Sequence, residues 1–151
     1  MKANRIYSSP SHRKGIIVIL AAVGLVILLV TTILSVDTAY MQLTRTELRV
    51  ATDAAAKAGA ESLMRTSSTS QAITDAQKIA AMNLVAGKPL QITSSDLVFG
   101  NTTMTTSGEW TFSPNVTPYN SVQVMSAMKD SNANGSVKLF FAGMVGQGKF
   151  Q

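Results

Sequence analysis

An α+β fold carried on a long amino-terminal helix is predicted by three observations. A 22-residue apolar run without an ionisable group, Gly15 to Val36, passes straight into a helix-favouring stretch that lacks proline as far as Arg65. A second helical pattern follows a polar gap at Thr66 to Ser70 and closes at Gly87 and Pro89. From Leu90 onward, short runs rich in Thr, Val and Phe are parted by Asn, Gly, Ser and Pro, which is strand and turn chemistry. The expected architecture is a membrane-spanning helix that continues outward, a helical hairpin, and a small antiparallel β-sheet. Residues 1–14 form a basic tail, 15–36 a transmembrane helix, 37–87 the juxtamembrane and second helices, and 88–151 a β-rich extracytoplasmic region.

The apolar run sets the class. Ile16 to Val36 would extend about 31 Å as a helix, the hydrocarbon thickness of a bilayer. Lys2, Arg5, Arg13 and Lys14 precede it with no acid, and Asp37 follows it. The positive-inside rule therefore places the tail in the cytoplasm and everything from Asp37 outside. The formal charge of +5 divides accordingly: the tail holds 4 bases, and residues 37–151 hold 9 bases against 8 acids. The basicity reports topology, and a nucleic-acid partner is not expected. A cleaved secretory signal fits poorly, because the core is long and the triplets at Ile33-Leu34-Ser35 and Asp37-Thr38-Ala39 suit its cleavage site badly. A prepilin-type cut after Gly15 is the other reading of the run, but the position where prepilins carry Glu holds Leu20.

Beyond the span, charges recur every fourth residue at Arg45, Arg49, Asp53, Lys57, Glu61 and Arg65, a solvated helix face with favourable Asp53–Lys57 and Glu61–Arg65 spacing. Beside it Leu48, Ala51, Ala55, Ala58 and Ser62 form a narrow small-residue stripe suited to close approach by another helix. Ser68 and Gln71 have capping-box spacing before the second helix, whose apolar face is Ile73, Ala76, Ile79, Ala80 and Leu84. The two helices are expected to pack as a hairpin. Candidate strands are Leu90 to Thr93, Leu97 to Phe99, Glu109 to Phe112, Ser121 to Met128 and Ser136 to Phe141, the last two joined as a hairpin through Asp130 to Gly135.

The residues offer little catalytic chemistry. With no Cys there is no disulfide, thiolate metal site or thiol nucleophile, and His12 lies in the tail away from all eight carboxylates. Neither an enzyme, a cofactor nor a small-molecule substrate is predicted. Gly143, Gly148 and Lys149 imitate a phosphate loop, but Phe150 stands where Ser or Thr must bind magnesium, so a turn is expected there. The acceptor triplets at Asn101, Asn115 and Asn134 are read as loop markers, and the eight Met and Trp110 as core filling. Asp37 is read as a helix leaving lipid, with contact to an assembly partner as the functional alternative.

One pattern goes further. Gly15, Asp37, Arg45, Leu48, Asp53, Ala54, Ala55, Ala56, Ala58, Gly59 and Ala60 match a pattern of the TadE/TadG-like family associated with Flp, or tight-adherence, pilus assembly. Downstream, Asp96 to Gly100, Asn120 to Val124, and Val137 to Ala142 with Gly146 resemble segments of TadG-like proteins. Arg49 and Lys57 depart from the pattern, where Gln and Leu are usual. The resemblance implies a single-pass inner-membrane protein with a periplasmic domain, acting as a minor pilin-like or accessory component among other pilus-assembly proteins. The absent prepilin Glu favours the TadG-like side. Family members often continue past this point, which leaves open whether Gln151 is the natural end. Two alternative functions are a membrane-tethered extracytoplasmic binding or sensor domain, and a processed pilin-like filament subunit.

Overall fold

The computed structural model describes residues 13–141 and 149–150. Helix α1 runs unbroken from Arg13 to Thr66, 54 residues and about 80 Å. Its first half is apolar all round: from Gly15 to Val36 every residue except Ile33 is exposed, with mean hydropathy 3.1 over the most apolar window. Polar residues near the end of this stretch bond back to their own helix. Thr31 donates to the carbonyl of Ile27 or Leu28, Thr32 to Leu28, Ser35 to Thr31 and Thr38 to Leu34, so no hydroxyl is left seeking water.

The turn after α1 is tighter than the expected loop. Only Ser67 and Ser68 separate α1 from α2 (Thr69–Met82). Ser67 takes the left-handed conformation (φ 52°), its N–H closing on the Leu63 carbonyl at 2.8 Å. Ser68 then caps α2, accepting from the Gln71 N–H at 3.3 Å, as the capping spacing predicts. The reversal lays α2 antiparallel along α1, with Ala72, Ala76 and Ala80 fully buried on its inner face. Ile73 and Ile79 flank that face, and Leu84 lies beyond the helix, exposed. The helix stop read at Gly87 and Pro89 is corrected: α2 ends at Met82, and Ala86 and Gly87, both at positive φ (50° and 76°), turn a short hairpin of β1 (Leu84–Val85) and β2 (Lys88–Pro89). Two consecutive positive φ values make the turn that matches strand twist, which Gly87 makes inexpensive.

The main sheet has three strands in the order β4-β3-β5, all antiparallel: β3 is Leu97–Met104, β4 Trp110–Pro114 and β5 Ser121–Val124. Gly100 sits where the three strands meet. A Cβ there would lie 2.4 Å from the Ser113 carbonyl and 2.7 Å from the Phe112 ring, so no other residue fits. A separate pair, β6 (Val137–Lys138) and β7 (Lys149–Phe150), lies at the carboxy end. The core joins Ala51 and Ala55 of α1 and Ala76 and Ala80 of α2 to Val85, Leu90, Ile92, Leu97, Met128 and Val137.

Three strand expectations are corrected, with one chemical reason behind two of them. Leu90 to Thr93 is not a strand, because side chains serve its backbone. Asn134 Oδ1 accepts from the Gln91 N–H (2.8 Å), Asn134 Nδ2 donates to the Gln91 carbonyl (2.9 Å), and Gln77 Nε2 donates to the Ile92 carbonyl (3.1 Å). The hairpin expected between Ser121–Met128 and Ser136–Phe141 does not form. β5 pairs with β3, and the connection is folded on itself by Asn132 and Asn134 bonding to Ala127 and by Asp130 accepting from Ser136. β5 also stops at Val124, beyond which the chain follows α1 and the Ser126 hydroxyl meets that of Thr52. Asn101 to Thr103 lies within β3, so that acceptor triplet is not a loop, whereas Asn115 to Thr117 and Asn134 to Ser136 do lie in loops, with Asn134 buried. Trp110 and four methionines (Met64, Met82, Met104, Met125) are exposed, whereas Met128 is buried. Trp110 pairs with Met104 beside the β3–β4 turn. Gly143 and Gly148 of the loop imitation lie outside the described residues, as do Lys2, Arg5 and His12.

Candidate functional site

Two places gather the residues singled out by the sequence pattern. The first is the junction where the apolar half of α1 meets the folded head. Asp37 follows Val36 directly yet is only 5% exposed. Its Oδ1 accepts from the backbone N–H groups of Phe140 (3.0 Å) and Phe141 (3.2 Å), and Oδ2 shares the Phe141 N–H at 3.2 Å. One helical turn on, Tyr40 packs edge-on against Phe140, with ring centroids 5.0 Å apart. A carboxylate at this position needs partners once water is excluded, and the Phe140–Phe141 backbone supplies them. The Val137–Phe141 segment is thereby tied to the outer end of the apolar run, across more than a hundred residues of sequence. Glu47 makes a second tie, its Oε2 accepting from the Ala86 N–H at 2.9 Å and holding the β1–β2 hairpin on α1.

The second place is the motif helix itself. Ala51, Ala55, Gly59 and Ser62 are buried, and Leu48 packs against the core. Gly59 marks the closest approach: a Cβ there would stand 3.4 Å from Ala76 Cβ, 3.6 Å from the Ala72 carbonyl and 3.5 Å from Val122 of β5. Small residues let α1, α2 and the sheet close on one point. Ala54, Ala56, Ala58 and Ala60 are half-buried on the flanks, while Arg45, Asp53, Lys57 and Glu61 are exposed along the outer face. Polar groups lock the far end of the hairpin. Asp75 of α2 accepts from Ser62 Oγ (2.6 Å) and Gln71 Nε2 (3.1 Å) and pairs with Arg65 at 3.4 Å. The Ser62 hydrogen bond, the Gln71 bond and the nearby positive charges of Arg65 and Lys78 outweigh desolvation and hold its carboxyl below the ordinary value.

Downstream, the fragments that resemble family segments also acquire physical roles. Asp96 caps a single 3-10 turn (Ser94–Asp96), taking the N–H and hydroxyl of Thr93 at 2.7 and 2.8 Å. Asn120 acts as a miniature strand, its Oδ1 accepting from the Thr102 N–H (2.7 Å) and its Nδ2 donating to the Thr102 carbonyl (3.0 Å). Sequence reasoning passed over Glu47 and Tyr40 and took Asn134 only as a loop marker. Nothing local distinguishes Glu47 or Tyr40, whose partners Ala86 and Phe140 are distant in sequence, and Asn134 reaches Gln91 across 43 residues. Among the described residues, no group of three or more His, Asp or Glu side chains lies close enough to hold a metal ion.

An exposed apolar helix continued without a break into a small α+β head, and tied back to it at the junction, defines a helix-anchored structural class. The comparisons with known proteins agree with that class. Residues 15–62 match the family model described as Flp pilus-assembly TadE/G-like, and residues 58–151 match the model described as Tad-like Flp pilus-assembly. The chain belongs to the Tad-like Flp pilus-assembly family. The two matches meet at residues 58–62, on the stretch of α1 that contacts α2 and β5 through Gly59. No curated protein and no solved structure matches the chain.

Proposed function

We propose that the chain is a single-pass, membrane-anchored component of Tad pilus or secretion-apparatus assembly, a minor pilin-like or accessory subunit and not an enzyme. The observation that carries this reading is the surface of Gly15–Val36. Its large aliphatic side chains, all but Ile33, stand exposed on a helix long enough to cross a bilayer. Lipid is the covering that such a surface requires. Lys2, Arg5, Arg13 and Lys14 on one side and Asp37 on the other orient it with the tail in the cytoplasm and the head outside the inner membrane.

The function is positional. Helix α1 acts as a strut whose inner half is held by lipid and whose outer half is braced by α2 and β5, so the head is fixed relative to the membrane. The exposed charge ladder on the outer face of α1 and the Met104–Trp110 tip are the surfaces left for other pilus-assembly proteins. Leu20 stands where a prepilin peptidase substrate carries Glu, which speaks against a cut after Gly15. Deleting the gene from a strain with an intact Tad cluster tests the reading: loss of piliation and surface adherence is expected, restored by the intact gene. Normal pili and adherence in the deletion strain would overturn it.

A further inference from the structure

We propose that the Asp37 tie seats the Val137–Phe141 segment on the outer face of the bilayer, with Phe140 as an apolar anchor in the lipid interface. The proposal rests on the reading of Ile16–Val36 as a membrane span and adds that the head touches the same lipid.

Height along the helix is the first argument. Asp37 is the residue immediately after the apolar run, and its carboxylate holds the backbone N–H of Phe140 at 3.0 Å. That bond keeps Phe140 within about one helical turn of the level at which the run ends, roughly 5 Å. Direction is the second. Side chains on a helix lean toward its amino terminus, so the Tyr40 ring covers the turn below its own Cα, at the level of Val36 and Asp37. The Phe140 ring packs against that ring with centroids 5.0 Å apart, and therefore lies level with the last apolar turn.

Exposure is the third argument. Phe140 is 66% exposed, and Leu34 and Val36, in the last apolar turn of α1, are exposed at 61% and 43%. All three stand at the level where the apolar run ends, so the lipid that covers Leu34 and Val36 also reaches the height of Phe140. Aromatic and long aliphatic side chains are the usual anchors at this depth. Charge agrees with the placement. Lys138 and Lys88 are exposed and line a shallow groove with Tyr40, which puts two cationic side chains at the height of lipid phosphates. The ring is thus aimed at hydrocarbon and the amines at headgroups.

The chain's single tryptophan, Trp110, is beside the β3–β4 turn and 69% exposed, which allows a direct test. The full chain carrying Trp110→Phe with Phe140→Trp is reconstituted in phosphatidylethanolamine/phosphatidylglycerol vesicles. Trp110→Phe with Leu29→Trp serves as the reference for the span, and the unaltered chain as the reference for water. The Phe140→Trp probe is expected to emit at shorter wavelength than native Trp110, to lose most of its quenching by aqueous iodide, and to be quenched by phospholipid brominated near the headgroup. Iodide quenching equal to that of Trp110, with no effect of brominated lipid, overturns the proposal while Leu29→Trp still reports a span. Shielding from both quenchers means that protein covers the ring, which also overturns it. Failure of brominated lipid to quench Leu29→Trp removes the span and the proposal together. If the indole perturbs folding, Phe140→Cys in this cysteine-free chain takes a spin label, whose accessibility to oxygen over a nickel chelate must exceed that of a label at Thr106.

Discussion

Replacing Asp37 with alanine removes the acceptor for two backbone N–H groups, those of Phe140 and Phe141. A hydrogen bond to a charged group contributes about 1.5–3 kcal/mol net. Two such bonds do not simply add here. Phe140 is largely exposed, so water takes up its freed N–H, and losing a buried carboxylate also relieves its desolvation. The balance is about 2 kcal/mol, or roughly a 30-fold rise in the local opening equilibrium of the segment. Amide hydrogen exchange in detergent micelles reads this directly: protection at Phe140 and Phe141 should fall about 30-fold, while amides in α2 and β3 stay unchanged. Asp37→Asn keeps Oδ1 as a neutral acceptor and forfeits about 1 kcal/mol, so its loss of protection should be only about fivefold. Equal protection in the Asp37→Ala and unaltered chains would refute the tie, and with it the account of why a carboxylate is buried at the end of an apolar run.

Gly100→Ala places a methyl group against the Ser113 carbonyl and the Phe112 ring, and overpacking of this kind should cost about 3 kcal/mol in a thermal melt. Gly59 behaves differently: its Cβ would find ordinary contacts at 3.4–3.6 Å, so Gly59→Ala should gain about 0.5 kcal/mol through helix propensity. Gly59→Leu should instead lose about 2 kcal/mol by forcing α1 from α2, and unfolding midpoints of the two variants check the difference in sign. Asp75 has a carboxyl held below its ordinary value of 3.8, so its contribution is complete above that pH and lost as pH falls through the lowered value. The difference in melting temperature between the unaltered chain and Asp75→Asn should accordingly be constant near neutrality and shrink only below pH 3.8.

The helical part of the fold was legible because its determinants are local. The proline-free run, the Ser68–Gln71 cap and the small-residue periodicity all act within a few residues of themselves, and α1 and α2 appear where they indicate. Strand pairing was not legible, because Asn134 and Asn120 replace strands with side chains that carry a donor and an acceptor in the same geometry. No alternation of apolar residues encodes such a substitution. Asp37 shows the same limit at the candidate site. Its place at the end of the apolar run was plain, but the partners that explain its burial lie at Phe140 and Phe141. The family-like fragments pointed to Gly100 and Asn120 without giving a reason. The reason is steric at Gly100 and hydrogen bonding at Asn120.

The tie at Asp37 also carries a schedule. Its two halves are separated by 103 residues, so a ribosome adding about 5–20 residues per second delivers Phe140 some 5–20 s after Asp37. Each element between them can form earlier: α1 and α2 through a two-residue turn, and the sheet through neighbouring strands. Closing so long a loop is unfavourable for an open chain, but those elements shorten the effective loop before Phe140 arrives. The carboxylate therefore remains hydrated until Phe140 and Phe141 arrive, and its capture is the event that joins that segment to α1.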